Sequence, residues 1–261
     1  MKLKKKTLTI AGVIIIFIVA CLLLLYQNFG KTSDFTIIDE SAKIKEAESY
    51  GDDVTGWLRV EGTNIDLALV ARNNEMDISN TDYEYAWTNS YPDLNSNHFT
   101  YISHNVRNVS SNPIIGDDTM TYFEQLMSFI YPDFIKENQF IEFTNPDGET
   151  SIYRIFGVTL IDEPQTSSYY DTFNDEELDE YIKKAKDESM YDMDVDVNSD
   201  DMLLTLYTCT RFYGFGNAYS FRVDARELRE GESMRYSTVE VNNNYKEIEE
   251  RMKEGESNEE V

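Results

Sequence analysis

Apolar residues are distributed along the chain in three regimes. Thr7 to Tyr26 is an uncharged run of twenty residues, which as a helix spans about 30 Å, the thickness of a bilayer's hydrocarbon core. Residues 31–50 are polar, with a helical stretch that Asp39 or Ser41 can cap. From Gly56 the pattern shortens to strands. Trp57–Val60 and Ile65–Val70 flank the turn-forming Glu61-Gly62-Thr63-Asn64, and Phe99–Ser103 ends at His104. Phe123, Leu126, Met127 and Ile130 recur at helical spacing within Phe123–Phe134. Phe140–Thr144 and Ser151–Ile161 form a hairpin across Asn145-Pro146-Asp147-Gly148, where proline sets a tight turn and glycine is free to take positive φ. Asp175–Lys186 reads as a helix with Leu178, Tyr181 and Ile182 on one face. Met202–Thr208 is a strongly apolar strand ending at Cys209, with Tyr219–Ala225 as its returning neighbour. Many short strands and few helices predict a mainly β domain, a closed or partly closed β-barrel.

The ends of the chain set its organisation. Lys2, Lys4, Lys5 and Lys6 precede the apolar run and no small-residue cleavage site follows Leu25, so residues 1–6 are expected in the cytoplasm and 7–26 as a retained signal anchor. Ile18-Val19-Ala20-Cys21 offers a competing reading as a lipobox, against which Leu22 to Leu25 continue the apolar run. The expected order is then a stalk with an N-terminal helix over 27–50, the β domain over 51–230, and an acidic, flexible tail over 231–261 with a frayed helix around Tyr245–Lys253. The formal charge is −26, leaving −30 for residues 31–261. Such a surface repels nucleic acid, and it favours amine-bearing partners.

Candidate chemistry is confined to few residues. Cys209 is the one cysteine outside the apolar run, so the exported part cannot form an internal disulfide. A nucleophilic thiol needs a proton acceptor or a cation nearby, because the thiolate is the reactive form. His104, like Cys209, stands at a strand end, and two strands of one barrel can bring those ends together. His98 reads as a surface residue on the approach to the His104 strand. Asp192, Asp194, Asp196, Asn198 and Asp200 alternate like a calcium loop, but Val197 and Leu203 stand where its glycine and glutamate would be. No metal and no cofactor is expected.

Local sequences sharpen this reading. Thr205-Leu206-Tyr207-Thr208-Cys209 closely resembles the T-L-x-T-C strand end of the sortases, and Tyr101-Ile102-Ser103-His104-Asn105 resembles their Y-G-H-N segment with Ser103 in place of glycine. Gly56 to Asp66 resembles the G-W-(I/L)-x-(I/V)-x-G-T-x-I-D opening of class B, and Ser189–Asp192 with Val197–Asp201 resembles the region leading into its cysteine strand. The resemblance covers about residues 50–228. It implies a sortase-type closed barrel outside a Gram-positive cell membrane, with Cys209 attacking a backbone carbonyl in the C-terminal sorting signal of a secreted protein. The thioacyl intermediate would be resolved by an amine of a peptidoglycan precursor or, in a pilus-polymerising enzyme, of a pilin. His104 would be acid and base, and an arginine would help to stabilise the oxyanion. Counting back from Ala225 puts that arginine's position at Ser220. Arg222, two residues on and on the same strand face, is taken as its substitute ahead of the loop residue Arg211. Tyr207, Thr208 and Ser220 are expected to meet the substrate. A membrane-tethered scaffold that keeps the fold and has lost efficient catalysis is the alternative from another class.

Overall fold

The computed structural model describes residues 31–48, 54–71, 85–88, 97–105, 121–161, 174–210 and 219–259. The expected anchor, Cys21 and Arg211 lie outside them. Among the described residues no helix is long and apolar enough to cross a membrane. Residues 33–261 form one compact unit.

Ten strands follow in chain order: β1 (Val54–Val60), β2 (Asp66–Ala71), β3 (Tyr85–Thr88), β4 (His98–Ile102), β5 (Phe140–Thr144), β6 (Thr150–Ile161), β7 (Tyr191–Met193), β8 (Leu203–Thr210), β9 (Tyr219–Glu227) and β10 (Val239–Val241). Eight of them close into a barrel in the order β1-β2-β3-β4-β8-β9-β6-β5, and β7 pairs with β10 outside it. The ring is antiparallel except at β2–β3 and β4–β8. Alternation along the strands sends Leu58, Leu67, Leu69, Tyr101, Leu204, Leu206, Phe221, Val223 and Ala225 into one buried cluster, the barrel interior. The hairpin of β5 and β6 forms as expected. Gly148 takes φ +85° in its turn, and its N–H donates to Asn145 O at 3.0 Å.

Among the described residues four α-helices lie outside the barrel: α1 (Ser41–Ala47), α2 (Pro132–Glu137), α3 (Asp175–Glu188) and α4 (Asn243–Glu259). Asn174 caps α3 through a reciprocal box with Glu177. Leu178, Ile182 and Ala185 of α3 pack on Phe156 and Leu203, covering the outer face of β6 and β8. The stalk is more firmly seated than its polar sequence suggests. Ile44 and Ala47 of α1 are buried, and Arg59 on β1 bonds Glu142 at 3.1 Å and Glu40 at 3.5 Å.

One expectation is corrected. The helix expected over Phe123–Phe134 is a fully buried 3-10 helix, Glu124–Ile130, followed by the separate α2. Pro132 explains the break, since it pushes Tyr131 to an extended conformation (φ −90°, ψ 122°) and opens a new helix at its first position. The C-terminal segment is a strap that carries β10 and α4, the latter covering the helix expected around Tyr245–Lys253. Its Tyr236 hydroxyl donates to Glu61 at 2.7 Å, and Glu61 also accepts the Gln139 and Phe140 N–H groups and the Ser33 hydroxyl. Val239 and Ile248 reach the barrel cluster, and Tyr245 stacks on Tyr191. These contacts are long in range and widely spaced, which is why hydropathy along the segment does not reveal them.

Candidate active site

β8 and β4 run side by side in the same direction, paired from His98 with Leu203 to Ile102 with Tyr207. Beyond the last pair the chains stay joined. The Ser103 N–H donates to Tyr207 O at 3.2 Å, and the Thr208 hydroxyl donates to Ser103 O at 2.8 Å. Two residues past Ile102 and Tyr207 stand His104, beyond the end of β4, and Cys209, within β8. Residues some hundred positions apart in sequence are thereby brought together by one register.

Cys209 is a free, exposed cysteine on the outer face of β8. Partial burial pushes its thiol above the usual cysteine range. The His104 ring lies 4.9 Å from the ring of Trp87 and 5.8 Å from that of Tyr122. Its backbone carbonyl accepts the Phe123 N–H at 3.0 Å, which ties the segment to the 3-10 helix. Tyr122 holds φ +53°, uncommon for a residue other than glycine. Neither ring beside the histidine was singled out from the sequence, where an isolated tryptophan or tyrosine carries no positional signal. Around the pair, Trp87, Ile102, Tyr207 and Ile161 form an apolar patch on the outer face, so Tyr207 sits beside the thiol as part of a wall. Thr208 points the other way and fastens the two strands.

β9 completes the site from the far side. Ser220 pairs with Cys209, and Arg222 pairs with Tyr207. Ser220 is fully buried and its hydroxyl has no hydrogen-bond partner. Arg222 shares that face, as expected, but its guanidinium is committed elsewhere. Its Nε donates to Asp224 at 2.8 Å, and its Nη2 to Glu188 of α3 at 3.2 Å. Asp224 is paired with Thr205, four residues before Cys209, so these bonds draw Arg222 along the strand and not toward the thiol. Burial works against the guanidinium charge, and Asp224, with Tyr181 and Glu188, outweighs it and raises the pKa further above the usual arginine range.

Asp224 is the hub of a polar network beneath α3. It accepts from Tyr181 Oη at 2.7 Å and from Thr205 Oγ1 at 2.8 Å, while His98 Nε2 meets Thr205 Oγ1 at 2.8 Å. His98 is therefore wholly buried, with its ring 4.8 Å from that of Tyr181. The expectation of a surface histidine fails because α3 covers the strand face that His98 occupies. Of the calcium-like run, Asp196 bonds Arg229 at 2.6 Å, and Asp201 just beyond the run bonds the same guanidinium at 2.7 Å. A cavity of about 370 Å³ lies between the end of β6, α3 and α4, lined in part by Ile161, Glu188 and Glu247. Ile161 is the β6 neighbour of Ser220.

No family model matches the chain. Sortase B of Staphylococcus aureus is 24% identical over 181 residues, 66% of this chain and 69% of that protein. The crystal structure of Clostridium perfringens sortase B is 26% identical with a TM-score of 0.59, covering 71% of this chain and 99% of that one. A sortase B from the type II pilus of Streptococcus pneumoniae shares the fold at 17% identity and a TM-score of 0.54, over 70% of this chain and 97% of that one. The closed eight-stranded barrel is thus the sortase fold. Within it the chain is sortase B-like, and its function is of the sortase type.

Proposed function

We propose that the protein is a cysteine transpeptidase anchored in the cell membrane, with its barrel outside the cell. The observation that supports this reading is that His104 and Cys209 each stand two residues past Ile102 and Tyr207, the last pair of the parallel strands β4 and β8. The Cys209 thiolate attacks a backbone carbonyl in the C-terminal sorting signal of a secreted protein. As the peptide C–N bond breaks, His104 gives a proton to the leaving amine, and a thioester remains on Cys209. An incoming amine, from a peptidoglycan precursor or a pilin, loses a proton to His104, forms the new amide and releases the thiolate. Tyr207 and the patch around it bound the substrate on the outer face. Arg222 reaches the reacting carbonyl only by leaving Asp224 and Glu188; Arg211, in the segment after β8, is the other cationic candidate for the oxyanion.

The test is a panel of sorting-signal peptides offered to the purified protein with and without a primary amine. A thioester on Cys209 and an amine-dependent ligated product are expected. Cleavage without any ligated product, whatever amine is offered, would restrict the enzyme to hydrolysis.

A second reading is supported by one observation, the uncharged Ser220 across from the thiol with Arg222 held away. It is a sortase-fold scaffold of low catalytic power. A thiol-reactive mimic of the sorting signal separates the two, since a scaffold is not labelled at Cys209 in a His104-dependent way.

The lysine cluster and the apolar run of residues 7–26 motivate the anchor. Protease applied to intact protoplasts is expected to destroy the C-terminal domain and leave a small membrane-bound N-terminal fragment. A mature chain beginning at a lipidated Cys21 would overturn the anchor.

A further inference from the structure

Ser220 is the cross-strand partner of Cys209 in the antiparallel pair β8–β9. Side chains so paired share a face, with Cβ atoms about 4.5–5.5 Å apart. The serine is 0% exposed, and its Oγ makes no hydrogen bond. A buried hydroxyl without a partner costs free energy, and alanine would fill the same space without that cost. Thr100, Ser128 and Thr210 also bury unpartnered hydroxyls, but none of them is the cross-strand partner of the thiol. Burial alone pushes Cys209 toward its neutral form, and the nearest cation on β9, Arg222, is bonded to Asp224 and Glu188.

We propose that Ser220 is a catalytic hydrogen-bond donor whose hydroxyl turns to Cys209 Sγ when the thiol is deprotonated and holds the thiolate. Rotation about χ1 together with the O–H rotor lets a serine hydroxyl swing to an acceptor on the same face. The group left unpartnered beside a neutral thiol acquires its partner when the sulfur becomes charged. The hydroxyl therefore favours the reactive form and gives nothing to the resting one, in the place where a charged side chain is absent. This rests on Cys209 being the nucleophile.

The experiment compares the full chain with Ser220→Ala and Ser220→Thr. Alkylation of Cys209 by iodoacetamide is followed at one neutral pH by peptide mapping, alongside thermal melting of each protein. A hydrogen bond to a charged group is strong enough that Ser220→Ala should alkylate about ten- to a hundredfold more slowly. Ser220→Thr should keep close to the parent rate. Because no folded-state bond is lost, Ser220→Ala should melt at the same temperature as the parent or higher, an outcome that a structural role does not give. A parent-like rate in Ser220→Ala overturns the proposal, and so does a rate loss accompanied by a clear drop in melting temperature. If Cys209 of the parent alkylates no faster than an ordinary exposed thiol, the nucleophile itself is wrong, and that failure is visible without the serine variants.

Discussion

Cys209→Ala is expected to abolish thioacyl formation altogether, and His104→Ala to lower turnover by at least about 10², the lower end for a positioned acid–base group. Both follow from the proposed roles of the two residues, each two positions past the last pair of β4 and β8. The measurement is trapping of the acyl-enzyme by mass spectrometry together with steady-state peptide cleavage. Peptide cleavage persisting in Cys209→Ala would remove the central claim. His98→Ala is the informative control. It deletes a buried ring bonded to Thr205, so it is expected to lower stability while turnover per folded molecule stays near the parent value. A loss per folded molecule equal to that of His104→Ala would mean that the wrong histidine has been assigned.

Asp224→Ala should be the most destabilising single change outside the barrel interior. It would leave the buried Arg222 guanidinium with Glu188 and Thr159 as its side-chain hydrogen-bond partners among the described residues, and it would strip an acceptor from Tyr181 and Thr205. Breaking a buried ion pair from one side typically costs about 3–5 kcal/mol. Equilibrium denaturation would measure it, and a loss below about 1 kcal/mol would show that the network relaxes and that α3 does not depend on it. Asp224→Asn keeps the shape and weakens the hold on Arg222. A rise in peptide cleavage in Asp224→Asn that is lost in Asp224→Asn with Arg222→Ala would place the freed guanidinium in the chemistry. If Arg222→Ala keeps the parent kcat/KM while Arg211→Ala loses it, the loop residue serves instead.

Much of the barrel could be read from alternation, because β5, β6 and β8 carry dense apolar residues between clear turn signals. The ends of β4 and β8 stood out because His104 and Cys209 each follow an apolar stretch. What escaped notice was burial imposed from outside the barrel. In β9 the positions Ser220, Arg222, Asp224 and Arg226 alternate with Phe221, Val223 and Ala225, a pattern that ordinarily marks a solvent-facing side. All four are buried. α3 brings Tyr181 and Glu188 over part of this face, and the C-terminal strap brings Glu232 to Arg226. Nothing local to β9 announces those covers. Three-residue strands such as β7 and β10 are too short to show a period, and they exist because each supplies the other's ladder. The direction of Arg222 was likewise out of reach, since it is decided by Asp224 two residues on and Glu188 on a separate helix.

The parallel seam between β4 and β8 has a further meaning for how the protein comes into being. In the ring order, β1 to β4 are consecutive, whereas β8, β9, β6 and β5 derive from the later part of the chain. The two groups meet at β4–β8 and at β1–β5. Either group alone contains one member of the reactive pair and lacks the other. Competence is therefore acquired only when the ring shuts, through a contact between residues far apart in sequence, the kind that forms late because its loop-closure entropy must be overcome first. Until the ring shuts, the chain carries its cysteine away from the histidine proposed as its proton acceptor.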